Sequence, residues 1–163
     1  MSQQAIDNIL NRCPNEKRIA LVKALDNPAD LFTLLCQYNW DDGFELPYAV
    51  VTHEQCDLGL ALMLFWEEAI VQLYYFNPDK YWLNTSASNH EGRLYELNFC
   101  KVIVDGIRTQ AFKKAVNEYD TGFYGEHLHP ENERKAKIRA YKTRIALRRG
   151  EFEPVFLQPC FIE

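Results

Sequence analysis

The chain has 163 residues, 47% of them hydrophobic and 13% aromatic, with a formal net charge of −5. That is enough apolar material for one domain with a real core, and no long polar or low-complexity tract is present, which excludes a disordered chain. Charge is unevenly placed: residues 134–149, RKAKIRAYKTRIALRR, carry eight basic side chains and no acidic one, whereas residues 1–133 carry 20 acidic against 10 basic. That asymmetry bears on partners, because a large one-signed surface steers an oppositely charged molecule and repels a similarly charged one.

The N-terminal residues MSQQAIDNILNRCP lack the cationic and apolar runs of a secretory signal. Residues 58–65 are the most apolar stretch, but Glu67 and Glu68 end it far short of the roughly 20 residues that span a bilayer. The expectation is a soluble cytoplasmic protein with no membrane partner. Five cysteines, Cys13, Cys36, Cys56, Cys100 and Cys160, form no C-x-x-C pair and read as reduced, mostly buried thiols.

In chain order, Ala5, Ile6, Ile9 and Leu10 recur at helical spacing, and a second helix is expected over 16–25 until Asn27-Pro28 breaks it. Pro28 opens a third, with Leu31, Leu34, Leu35 and Tyr38 on one face, and Asn39 to Gly43 forms a turn. A short helix over 46–52 follows. Asp57 then suits the N-cap of a helix expected to run over 58–75 until Asn77-Pro78 stops it. TSASNHEG reads as a long polar loop. Leu94, Leu97, Cys100, Val104, Ile107, Ala111 and Ala115 predict one long helix over 91–119, with a break at Gly106 as a variant. The local run FCKVIVDGI has strand character, but no partner run exists to satisfy a strand's backbone. After the loop DTGFYGEHLHPENE comes a basic helix over 131–149 with Ile138, Tyr141 and Ile145 on one stripe, capped by Gly150, and the tail EFEPVFLQPCFIE is expected to lie extended across a groove. The fold class is therefore all-α, one domain over 1–163, as an irregular helical bundle or short α-solenoid of about six to seven helices with an extended C-terminal tail.

The acidic residues Asp41, Asp42, Glu45, Glu67 and Glu68 have the residue types for paired-carboxylate catalysis, but adjacent carboxylates need not converge, and solvated carboxylates are commoner. They read better as a partner-binding edge, with Trp40 as an aromatic anchor. His127 and His129, flanked by Glu126 and Glu131, have the spacing of a metal pair if extended; no third ligand stands nearby, so a small metal-assisted hydrolase is the alternative reading and no metal or cofactor is expected. His53 and His90 stand alone. The cationic helix would suit phosphates, but pairing with the acidic body is the preferred account. No phosphate-cradling glycine loop, nucleophile elbow or H-E-x-x-H motif appears, so an enzyme is not expected.

Asn39-Trp40-Asp41-Asp42-Gly43, then Pro47, then Cys56-Asp57-Leu58-Gly59 leading into Ala61-Leu62 and Leu64-Phe65-Trp66, resembles the bacterial domain-of-unknown-function family numbered 4274, over about residues 31–70. Leu60 stands where a small hydroxylated residue is usual in that pattern. The resemblance implies a small bacterial cytoplasmic domain and no established activity. Small, acidic, aromatic-rich domains of this kind look like immunity proteins of polymorphic toxin, contact-dependent inhibition or type VI secretion systems, so the expected partner is a cognate protein toxin, neutralised by occlusion. A helical scaffold module without a toxin is the third reading.

Overall fold

A computed structural model describes residues 1–79, 90–123 and 149–163 of the chain. In these stand eight α-helices: α1 Gln3–Asp7, α2 Asn15–Lys23, α3 Pro28–Cys36, α4 Glu45–Val51, α5 Leu58–Glu67, α6 Ala69–Phe76, α7 His90–Arg108 and α8 Pro154–Leu157. Among the described residues the nearest thing to a strand is one antiparallel bridge, Tyr119 with Cys160. The fold is all-α.

The helix ends follow local chemistry. Ser2 caps α1 by accepting from the Ala5 N–H (3.2 Å), and a π turn over Asn8–Arg12 continues it, burying Ile9 and Leu10. Asn27 accepts from the Ala29 N–H (2.9 Å) and Pro28 occupies the first turn of α3, whose Leu31, Leu34 and Leu35 are buried as the spacing predicts. Every residue of α5 from Gly59 to Trp66 is buried, so this helix is surrounded on all sides. α7 buries Phe99, Cys100, Ile103, Val104 and Ile107 on one stripe and packs against α4, α5, α6 and α8. A solenoid element meets only its sequence neighbours, so a central α7 makes this an irregular bundle. FCKVIVDGI lies wholly within α7, which runs unbroken through Gly106.

Two helices expected to be continuous are not. The 58–75 helix divides at Glu68, which adopts extended backbone (φ −93°, ψ 105°), and α5 and α6 are bent by 84°. The bend folds Tyr75 back onto Phe65, with ring centroids 5.4 Å apart. Gln72 Nε2 donates to the carbonyls of Phe65 and Trp66 (3.4 and 3.3 Å), satisfying acceptors that the end of α5 leaves open. α5 is core, whereas α6 buries only Val71 and Tyr74, and no single helix among the described residues is long and apolar enough to cross a membrane.

The 91–119 helix ends at Arg108. Gln110 takes a positive φ of 58°, the Ala111 N–H donates to the Gly106 carbonyl (2.8 Å), and Phe112 turns back over Gly106, where a Cβ would come within 2.3 Å of its ring. Ala111 and Ala115 are consequently exposed. The tail is not simply extended: it forms the single turn α8, buries Phe152, Phe156, Leu157 and Cys160, and Gly150 sits within a 3-10 turn, Arg149–Glu151. Of the expected polar loop, residues 90–92 belong to α7 and the rest lies outside the described residues, as does the basic helix over 131–149 up to Arg149.

Candidate functional site

The acidic turn is built from its own side chains. Asn39 accepts from the Asp41 N–H (3.3 Å) and its Nδ2 donates to Asp42 Oδ1 (3.2 Å), winding Trp40–Asp42 into one 3-10 turn. Gly43 closes it at φ 92°, a conformation a side chain would strain, and the Tyr38 hydroxyl donates to the Gly43 carbonyl (2.7 Å). Trp40 lies under the turn, half-buried against Tyr38, Phe44 and Phe99 at centroid distances of 5.5, 5.8 and 5.8 Å. Its indole therefore stiffens the turn from within and is not a projecting anchor. Burial first, and then the negative charge of Asp42, push the Tyr38 hydroxyl up to about 12.

Between this turn and the first turn of α7 lies an open cleft of about 280 Å³, with Phe44 and Tyr95 as walls and Asp42, Glu45 and Glu91 on its rim. Asp41 and Asp42 are exposed. Glu45 is partly engaged, since Asn15 Nδ2 donates to its carboxylate and ties α2 to α4. Glu91 is the residue sequence reasoning missed as a member of this edge: it stands at the expected start of the long helix, and nothing in the sequence brings that start beside the acidic turn.

Glu67 and Glu68 do not line this cleft. They sit at the α5/α6 bend, where Glu67 adds its negative charge to the burial that raises the Cys36 thiol. Burial, and then the charge of Glu67, raise the Glu68 carboxyl above its usual range. Ionised Glu68 thus costs the folded state above that raised value, and the cost vanishes as pH falls below the unfolded carboxyl's range. Glu68→Gln is expected to raise Tm at neutral pH and to match the unsubstituted protein in acid, in paired thermal melts; equal Tm values at neutral pH would contradict the burial argument.

A second polar centre was expected only to be a helix cap. Asp57 is 2% exposed and accepts four hydrogen bonds: Oδ1 from the Leu60 N–H (3.1 Å) and Asn117 Nδ2 (2.9 Å), Oδ2 from the N–H groups of Val116 (2.9 Å) and Asn117 (2.8 Å). Asn117 Nδ2 also donates to the Pro28 carbonyl (2.9 Å), and the Leu58 N–H donates to the Lys113 carbonyl (2.9 Å). Residues 113–117 are thereby laid across the starts of α3 and α5. Gly59 permits the approach, since a Cβ there would stand 2.0 Å from the Asn117 carbonyl oxygen. Burial, with the negative charge of Asp57 added, pushes the Cys56 thiol up to about 12, so it is no nucleophile at neutral pH. A carboxylate with four internal donors holds segments together; it has little capacity left for substrate.

His53, which stood alone in the sequence, is also structural: its Nδ1 accepts from the Gln55 N–H (3.0 Å) and its Nε2 lies 3.2 Å from the Lys23 carbonyl. Cys56, Cys100 and Cys160 are buried, Cys13 is half-buried, Cys36 is exposed, and all five are free thiols. Among the described residues no group of three or more His, Cys, Asp or Glu side chains could hold a metal ion; His127 and His129 lie outside them.

Residues 26–99 match the family model described as "Domain of unknown function (DUF4274)". No curated protein and no solved structure matches the chain. The DUF4274 match extends the resemblance beyond residues 31–70 to include all of α3 through α6 and the first half of α7. The DUF4274-like motif residues have identifiable work in this chain. Asn39, Trp40 and Gly43 shape the acidic turn, and Asp57 and Gly59 receive the segment 113–117, which lies beyond the match. Leu60 is fully buried, and only its backbone N–H serves the cap.

Proposed function

We propose that this protein is an immunity protein, which binds a cognate bacterial toxin in the cytoplasm and neutralises it by occlusion, without catalysis, cofactor, nucleic acid or membrane. One observation carries the reading: a stiff turn presents Asp41 and Asp42 to solvent beside a cleft rimmed by Asp42, Glu45 and Glu91. An inhibitor needs that kind of surface, a rigid scaffold and a field complementary to a basic target, and needs no reactive group. The overall charge of −5 adds long-range attraction of the same sign.

The docking edge is assigned to Asp41, Asp42 and Glu91, with Glu45 at its inner end. Glu67 and Glu68 belong to a separate part of the surface, and Trp40 contributes by holding the turn. The test is a triple substitution, Asp41→Lys, Asp42→Lys and Glu91→Lys, measured against the toxin domain encoded beside this protein's gene. Far-UV circular dichroism and Tm should stay close to those of the unsubstituted chain, because exposed positions cost little. The association rate should fall by about tenfold or more in low salt and by much less in high salt. Equal association rates at low salt would remove this edge from the interface, and a neighbouring gene for a metabolic enzyme would remove the toxin.

A further inference from the structure

The cleft beside the acidic turn has walls as well as a rim. Phe44 and Tyr95, both half-buried, form those walls. Each ring is packed on others: Phe44 on Trp40 and Phe99 at centroid distances of 5.8 and 5.2 Å, Tyr95 on Tyr48 at 5.7 Å. Gly43 and Gly92 complete the lining without adding a side chain, leaving about 280 Å³ open. That is below the roughly 300–1,000 Å³ typical of sites for drug-sized molecules, and it suits one long side chain. Charge then selects the side chain. Asp42, Glu45 and Glu91 bring three formal negative charges, and among the described residues no basic side chain lines the cleft. Glu45 and Glu91 stand in the first turns of α4 and α7, whose positive ends add about half a charge each. About two negative charges are therefore left uncompensated.

We infer that this cleft takes the guanidinium of an arginine side chain presented by the partner protein. The inference rests on the reading of this edge as the docking surface, and it names the group that fills the cleft. Arginine meets both the walls and the rim. Its planar cation stacks on aromatic faces, donates in pairs to carboxylates, and sheds water more readily than an ammonium. A lysine ammonium, compact and strongly hydrated, would gain the charge without the stacking.

The test uses the full chain with three capped peptides, acetyl-Gly-Arg-Gly-amide and its lysine and citrulline counterparts, and follows the backbone amide NMR signals of Gly43, Phe44, Gly92 and Tyr95. The arginine peptide should shift these signals saturably, and the lysine peptide should bind at least about threefold more weakly. The citrulline peptide, which keeps the shape without the charge, should leave them in place. Tyr95→Ala should weaken the arginine peptide about two- to fivefold, the scale of one exposed cation–π contact, while Tyr95→Phe keeps the affinity. Where Tyr95→Ala fails to fold, Glu91→Gln takes its place, at an exposed position, and should weaken the same peptide in low salt. Equal binding of the three peptides, or shifts confined to other parts of the chain, would overturn the inference. So would tighter binding of free arginine than of the capped peptide, which would make the cleft a small-molecule site. Against the toxin domain encoded beside the gene, Tyr95→Ala should speed dissociation and leave association little changed, unlike the charge reversals at the rim. A toxin that binds the Tyr95→Ala and unsubstituted chains alike overturns the arginine assignment and leaves the docking edge standing. A toxin that binds neither removes the docking reading, and the peptides then decide the cleft.

Discussion

Asp57→Ala should lower the unfolding free energy by about 4 kcal/mol, a large share of the 5–15 kcal/mol typical of a domain. The substitution deletes one carboxylate and strands four donors: the N–H groups of Leu60, Val116 and Asn117, and Asn117 Nδ2, which keeps only the Pro28 carbonyl. Asp57 and Asn117 are both under 10% exposed, so water does not readily replace the lost acceptor. Denaturant titration measures the effect as a fall in midpoint. Asp42→Ala is the control, because that carboxylate is exposed and loses only the Asn39 contact, which should cost about 0.5 kcal/mol or less. A loss below about 1 kcal/mol for Asp57→Ala would mean that the four bonds contribute no more than an ordinary exposed cap.

Gly59→Ala should destabilise by about 3 kcal/mol through steric exclusion alone. The new methyl would lie 2.0 Å from the Asn117 carbonyl oxygen and 2.4 Å from its carbonyl carbon. Those are backbone atoms pinned by Asp57 and by the Leu58 to Lys113 hydrogen bond, so they cannot give way as a flexible side chain would. At an ordinary helix position glycine to alanine gains up to about 1 kcal/mol from propensity, so the predicted sign is the reverse of the intrinsic one. Gly43→Ala has a different cause, since nothing lies within 4 Å of its Cβ position and only the φ of 92° opposes it. Thermal melts of the Gly59 variant decide the matter: an unchanged or raised Tm would show that residues 113–117 do not press on α5 as described.

Much of the fold was legible because short signals set it. Asn27-Pro28, the Asn39 to Gly43 turn, the Asp57 cap and the stop at Asn77 all stand where turn and cap chemistry place them. The break at Glu68 was hidden because residues 58–76 are apolar almost throughout; a continuous apolar run carries no phase, and so does not record that the axis turns. The end of α7 at Arg108 was hidden for the opposite reason. Ala111 and Ala115 continue the apolar spacing by accident, and Gln110 supplies the positive φ without the glycine or asparagine that usually marks it. The acidic edge was visible as Asp41, Asp42 and Glu45, but its third wall, Glu91 and Tyr95, comes from the start of the helix expected from residue 91, and no local spacing records that this start packs beside the turn. The pinning of residues 113–117 had no local signal, since a buried aspartate's partners 60 residues away leave no spacing to read.

That pinning also bears on the order of folding events. Asp57 can lose its hydration only when the 113–117 segment arrives, and Asn117 in turn reaches Pro28 across 89 residues of chain. Contacts with such separation carry a large closure cost and belong to the last steps, after α3 through α7 have associated. Loss of the carboxylate would therefore appear mainly as faster unfolding, with the refolding rate little changed. For the same reason the stretch 26–99 cannot be the smallest unit that folds. Cut at its own limits, it would keep the Leu60 donor, lose the other three, and hold a nearly bare anion against the starts of α3 and α5.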